Sequence, residues 1–270
     1  MDKMALLDTD FISKTCRISD CNDLTLCDLI TSLSGYYFFC HAQIMKEMNI
    51  HHQKASRWLD ESITSCKIHC YSDIQILDEL AVYYGDLMSL VYANMLKEAC
   101  NAFSRNLFQM YYPEIESYDF ASGNKEKFVD LLEKEDEKMG KNKNLGEIKT
   151  YVLLQFLSIK YGEQIYIFCS DDKNARNGIV NFANVRCISV LSSFLRMRKE
   201  KKWEFREAYP YVNAYVNLCA EYKQISFKVI EESDVSRMIR VPCEQVLRDI
   251  FDDKFIELKN GTLKYKKECD

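Results

Sequence analysis

Proline and glycine are scarce, with three and eight residues in a chain of 270. Both interrupt helices, so a chain otherwise rich in Leu, Lys and Glu is tilted toward helix. The twelve cysteines contain no CxxC pair, which argues against a structural zinc ribbon. No glycine-rich phosphate loop is present, which removes a nucleoside-triphosphatase reading. No apolar run reaches membrane-spanning length, and no internal repeat or low-complexity segment occurs. The start, MDKMALLDTDF, is too short and too acidic for a secretory signal. The expectation is a cytoplasmic chain with no membrane partner. Reduced, buried thiols fit it, as for Cys40 behind Tyr36, Tyr37, Phe38 and Phe39. A net charge of −5 speaks against nonspecific coating of nucleic acid, while a local basic strip stays open.

What is present is an ordinary globular composition, 47% hydrophobic and 29% charged, sufficient for one large domain or a core with an appendage. Met4 to Leu7 reads as a buried strand ending in the acids Asp8 and Asp10. Leu24 to Met48 has helical spacing broken near Gly35, giving two helices, the second from about Tyr37 and bearing Glu47. Lys67 to Tyr71 is a second strand, and Ser72 to Tyr112 a long helical region ended by Pro113. The charged helix Lys125 to Met139 leads through GKNKN into a helix beginning at Gly146. Ile165 to Cys169 is a strand ending in Asp171 and Asp172, Val185 to Ile188 a weak strand, and SVLSSFLRMRKEKK a helix. This alternation predicts an α/β fold with a parallel sheet. Beyond it lie an aromatic helix from Trp203 to Tyr222, a strand at Ile225 to Ile230 and a helix from Pro242 to Phe251. The hairpin FIELKNGTLKYKK follows, with Asn260-Gly261 as the pair a type I′ turn favours.

Asp8, Glu47, Glu147 and Asp171-Asp172 are the acids of interest. In an open parallel sheet the carboxyl ends of the strands share one crevice, and carboxylates gathered there repel one another unless a cation sits among them. Such hard oxygen donors suit Mg²⁺ or Mn²⁺, ions that can drive phosphodiester hydrolysis without a covalent nucleophile. Each acid also has a structural explanation. Ser170 resembles an N-cap, Asp172 and Arg176 are spaced for an i,i+4 pair, Glu147 could be a first-turn acid, and Glu47 a solvated face residue. Lys14, Lys46, Lys149, Lys173 and Arg176 are the cations expected near the crevice, where a phosphate chain must be held. A zinc site at Glu47 and His51 lacks completing ligands, and the numerous Tyr and Phe recur at core spacing rather than as stacking platforms.

LLDTDFISK, HAQIMKEM, GEIKTYV and FCSDDKNAR together resemble the PIN domain, a nuclease family that includes the toxin ribonucleases of bacterial toxin–antitoxin pairs. The nearest pattern is the PIN-like subgroup with GE followed by DDxxAR, and the likeness covers roughly residues 1–60 and 140–190. It implies a three-layer α/β/α fold and Mg²⁺- or Mn²⁺-dependent cleavage of RNA, single-stranded above all, or of DNA. By position, Asp8, Glu47 and Glu147 match the first three metal ligands, and Asp172 the acid of the family's T-x-D motif with Ser170 in the threonine place. Asp171 becomes an outer or alternate ligand, and Ser170, Lys173, Arg176, Lys14 and Lys149 the substrate-side residues. The implied layout is a nuclease domain over residues 1–195, carrying a helical insertion at 72–144, and a carboxyl-terminal extension over 196–270. A toxin or defence effector of this kind would have an antitoxin-like inhibitor as partner, and the apolar insertion offers a homodimer face.

Two other readings remain. Asp234 to Lys267 could form a winged-helix-like module of a nucleic-acid-binding regulator, with Lys254, Lys259, Lys264, Lys266 and Lys267 on or near the wing. The alternative for that hairpin is a cover for the core. A PIN scaffold without catalysis is the third reading, and it predicts no metal uptake.

Overall fold

Five short apolar segments form one parallel sheet: β1 (Lys3–Leu7), β2 (Tyr36–His41), β3 (Ile68–Tyr71), β4 (Ile165–Cys169) and β5 (Arg186–Ile188), in the order β3-β2-β1-β4-β5. The computed structural model describes residues 3–122, 124–140, 144–162, 164–182, 185–218, 224–230 and 236–266. Tyr222, Asp234 and Lys267, together with Lys141, Asn142 and Lys143 of the polar linker, lie outside the described residues.

Residues of each strand alternate between two cores. Ala5, Leu7, Phe38, Cys40, Ile167 and Cys169 enter one; Met4, Leu6, Phe39, Phe168 and Cys187 enter the other. A parallel sheet buried on both faces reads as near-continuous apolar sequence, which is why KMALL and IYIFC lack polar alternation. Helices pack on both faces, consistent with a three-layer α/β/α arrangement. On one side lie α1 (Thr9–Thr15), α2 (Leu26–Thr31), α3 (Ala42–His51) and α4 (Gln53–Thr64). The other is covered by α5 (Asp73–Tyr84), α6 (Met88–Phe103), α7 (Leu107–Tyr111), α8 (Pro113–Glu116), α9 (Lys125–Gly140), α10 (Leu145–Tyr161) and α11 (Lys173–Phe182). α12 (Val190–Lys201), α13 (Phe205–Leu218) and α14 (Cys243–Phe251) return to the first side with the hairpins β6 (Gln224–Ile230)–β7 (Ser236–Pro242) and β8 (Phe255–Glu257)–β9 (Leu263–Tyr265).

The chain runs outward from β1 through β2 to β3, crosses back through helices α5 to α10, and resumes at β4 on the other side of β1. Strand order therefore reverses between β1 and β4. In open α/β sheets the crevice beyond the strand ends at such a reversal is where ligands sit.

Several expectations are corrected. Tyr36 to His41 is a central strand rather than the start of a helix; a six-residue aromatic run after a glycine packs into both faces of a sheet, and its period alone could not distinguish the two. The long helical region breaks at Gly85, which takes φ +56. Pro113 opens α8 at its first position instead of only ending a helix. Within the expected insertion the described residues are helical or in short connections, with no strand among them. The expected boundary between residues 195 and 196 falls inside α12.

The Asn260-Gly261 turn also differs. Gly261 N donates to Leu258 O, so Lys259 and Asn260 are the central pair, and only Gly261 takes positive φ, +72. A type I′ turn needs positive φ at both central residues, so this is a turn followed by a left-handed glycine. The turn docks on β5 through its backbone, with Cys187 N donating to Lys259 O at 2.8 Å and Gly261 buried, while the Lys259 side chain stays exposed. Of the expected wing lysines, Lys254 pairs with Asp249 and Lys266 with Asp253 inside the same module. Phe255 and Leu263 of the hairpin are buried in the core, while Ile256, Leu258 and Lys259 are exposed.

Candidate functional site

Asp8 follows β1 directly and stands in the N-cap position of α1, yet its side chain makes no cap hydrogen bond. It is 2% exposed, and its Oδ2 has no hydrogen-bond partner. Burial, followed by the charge of Glu147, holds its pKa well above the ordinary value, although Ser170 and the Thr9 N–H favour the ionised form. A buried carboxylate with an unmet oxygen is costly.

Three segments bring further acids to this point. Thr9 Oγ1 donates to Glu47 Oε2 at 2.6 Å, which ties α3 to the residue after Asp8. Glu47 lies against Gly146: a Cβ there would stand 2.6 Å from Glu47 Oε2, so a side chain at this position would push the Glu47 carboxylate aside. Glu147 is next, in the first turn of α10. Burial first, then the charges of Glu47, Asp172 and Asp10, push its pKa up to about 7. α10 enters at this angle because Asn144 takes φ +76, a conformation Asn tolerates.

The loop after β4 supplies the last acid. Asp172, not Ser170, caps α11: its Oδ1 accepts from Asn174 N at 2.6 Å and Ala175 N at 3.0 Å. Ser170 Oγ accepts from Asp172 N at 3.1 Å, which orients the loop. Asp171 is held by Lys14 Nζ at 2.8 Å on one oxygen and by Val190 N at 3.1 Å on the other. Both its oxygens are thus used within the protein, and it braces the loop.

Asp8, Glu47, Glu147 and Asp172 therefore share one electrostatic neighbourhood at the strand-order reversal. Their donors are all oxygen, and the orphan Oδ2 of Asp8 fits a hard cation. Among the described residues, no group of three or more His, Cys, Asp or Glu side chains stands arranged to hold a metal ion. Glu47 is turned to Thr9 and Asp172 to its own helix, as expected of carboxylates that repel without a counter-charge.

The predicted cations separate. Lys173 and Lys46 are exposed, and Lys14 bridges Asp171 and Asp10. Lys149, expected at the rim, is instead fully buried, 2.7 Å from Asp136 and 3.1 Å from Asp73, and close to the Tyr92 hydroxyl. Arg176 makes no i,i+4 pair with Asp172. It donates to the carbonyls of Ser170 at 2.7 Å and Asn260 at 2.9 Å. Of the basic run, Arg196 pairs with Glu257 at 2.6 Å and Arg198 with Asp253.

The buried polar cluster around Lys149 was not foreseen. Its acid Asp73 opens α5 just beyond β3 and also faces His41 Nε2 at 3.2 Å. Despite burial, Lys149 and His41 keep Asp73 well below the usual carboxylate range, while burial raises Asp136. A signal was present: Lys149 is the one charged residue between Glu147 and Lys160 in an otherwise apolar helix. Over this cluster opens a cleft of about 670 Å³, reaching Glu47 and lined by Asp73, Glu133, Asp136, Glu137 and the exposed Lys46.

The raised Glu147 pKa makes stability pH-dependent. An acid whose folded pKa lies above its ordinary 4.5 favours the folded state at low pH and loses that contribution as pH rises through about 7. In chelator, wild type should lose roughly 2–4 kcal/mol between pH 5 and 8. Thermal melts check this; Glu147→Gln should flatten the slope, and an equal slope in both proteins would contradict it.

No helix among the described residues is long and apolar enough to cross a membrane. The chain matches no family model, no curated protein and no solved structure.

Proposed function

We propose that this chain is a PIN-like, Mg²⁺- or Mn²⁺-dependent nuclease acting on single-stranded RNA. The supporting observation is the buried, unpartnered Oδ2 of Asp8, set where Glu147 is already pushed up to about 7 by burial and neighbouring acids. Asp8, Glu47, Glu147 and Asp172 are the residues that would hold the cation. A bound divalent ion supplies Lewis-acid polarisation of a phosphoryl oxygen and acidification of a water.

The chain's own groups do the rest. Thr9 and Gln43 hold the two oxygens of Glu47. Ser170 and the first amides of α11 fix Asp172. Lys14 fixes Asp171, and exposed Lys46 and Lys173 can meet phosphates. The carboxylates of the neighbouring cleft repel a phosphate chain, so a strand would enter past exposed Lys173. A cytoplasmic setting, an antitoxin-like inhibitor and a homodimer all belong to this proposal. Exposed Val82, Tyr83 and Leu87 on the helical insertion are where a second copy would pack.

The test is incubation with labelled single-stranded RNA and DNA in Mg²⁺, Mn²⁺ or chelator. RNA should be cut only with an ion present. Duplex DNA binding in chelator, with no cleavage under any condition, would support the regulator reading instead.

A further inference from the structure

The hairpin β8–β9 belongs to the carboxyl-terminal segment, yet its turn is joined through Arg176 to the loop that carries Asp172. Lys259 O accepts from Cys187 N at 2.8 Å, on the free edge of β5. Gly261 O accepts from Ser189 Oγ at 2.9 Å. Asn260 Nδ2 donates to Asn177 Oδ1 at 2.7 Å, while Asn260 Oδ1 accepts from Thr262 N at 3.1 Å and so shapes the turn from within. Between turn and loop lies Arg176, 6% exposed, its guanidinium bridging Asn260 O and Ser170 O.

We infer that this turn is a positioning element of the candidate site, setting through Arg176 and Ser189 where Ser170 and Asp172 stand relative to Asp8. The inference rests on the nuclease reading. Its geometry is two-sided. On one side the Arg176 fork fixes the Ser170 carbonyl, and Ser170 Oγ in turn holds the Asp172 amide. On the other, Ser189 caps α12, whose first amide, Val190 N, holds Asp171. The loop between β4 and α11 is thus gripped from both ends by groups that contact residues 259–261.

Simple edge protection would need only the Cys187 bond. A buried arginine whose two bonds go to carbonyls, one on each side, is a more specific device: a planar fork fixes the angle between two backbone segments. Gly261 shows how tightly the turn sits. At φ +72, an added Cβ would stand 2.8 Å from Cys187 O and 3.0 Å from Ser189 N, so a side chain there lifts the turn off β5.

The experiment uses the full chain as wild type, Gly261→Ala and Asn260→Ala. Each is titrated with Mn²⁺ by calorimetry, assayed on labelled single-stranded RNA for kcat and KM, and melted in chelator. Both variants should bind Mn²⁺ about tenfold more weakly and lose about tenfold to a hundredfold in kcat, with KM nearly unchanged, since misplacement of about 1 Å is enough for such losses. Should Gly261→Ala fail to fold, Asn260→Ala decides, because it keeps the glycine and removes the side-chain bonds to Asn177 and Thr262 that hold the Asn260 carbonyl in place for Arg176. Folded variants with wild-type Mn²⁺ affinity and kcat overturn this inference alone, as does a change in KM with kcat intact. A wild type that takes up no Mn²⁺ overturns the nuclease reading and this inference with it.

Discussion

Asp8→Asn should melt at a higher temperature than wild type in chelator and cut no RNA. The two effects have one cause. Oδ2 of Asp8 is buried without a partner, and burial with the nearby charge of Glu147 makes its ionised form expensive. Replacing the carboxylate by an amide removes the charge and provides a donor toward its acidic neighbours. A gain on the order of 1–3 kcal/mol is expected, the usual cost of an unsatisfied buried group. Cleavage should fall roughly 10³-fold or more, since a bound ion is worth several kcal/mol of transition-state stabilisation. The variant should also lose any rise in melting temperature that Mn²⁺ gives wild type. An Asp8→Asn protein that melts lower than wild type and still cleaves would contradict both halves of the argument.

Lys149→Met should be the most destabilising single change near the site. Its ammonium lies between Asp73 and Asp136 with no exposure, so its removal leaves two partly buried carboxylates without their shared cation. Breaking such a group by deleting one partner costs about 3–5 kcal/mol. In a chain of this size that is roughly a 10 °C fall in melting temperature. The cluster joins three helices, α5 through Asp73, α9 through Asp136 and α10 through Lys149, so the loss should loosen the attachment of the insertion to the sheet. Adding Asp136→Leu to Lys149→Met should recover part of the loss, because one stranded acid is then replaced by an apolar group. Loss of less than about 1 kcal/mol in Lys149→Met would mean the cluster is hydrated and weak.

The acids could be read from the chain because strand ends are local features. An apolar run that stops on an acid marks both the strand and its carboxyl edge, as at Leu7-Asp8 and at Cys169 before Asp171-Asp172. Glu47 and Glu147 were placed beside them by motif resemblance, and the Glu47 carboxylate does lie against Gly146, the residue before Glu147. Partnership was much less legible. Whether Lys149 faces solvent depends on Asp73 and Asp136, which reach it from other helices, and only its isolation in an apolar helix hinted at burial. For Asp171, expected as an outer or alternate ligand, the bonds to Lys14 and Val190 were not legible either. Tyr36 to His41 misled because aromatic runs suit a buried helix and a central strand equally. The hairpin was foreseen, but its turn type was not, since docking on Cys187 and Ser189 sets the backbone of Gly261 more strongly than local preference does.

Anomalous diffraction from crystals soaked in Mn²⁺ above pH 7 tests the central claim most directly. The account predicts a peak bonded to Asp8 Oδ2 at about the 2.0–2.2 Å typical of small hard cations, with Glu47, Glu147 or Asp172 completing the shell. Fully soaked crystals with no peak at Asp8, or with an ion held only by Asp73 and Asp136 in the adjoining cleft, would contradict it.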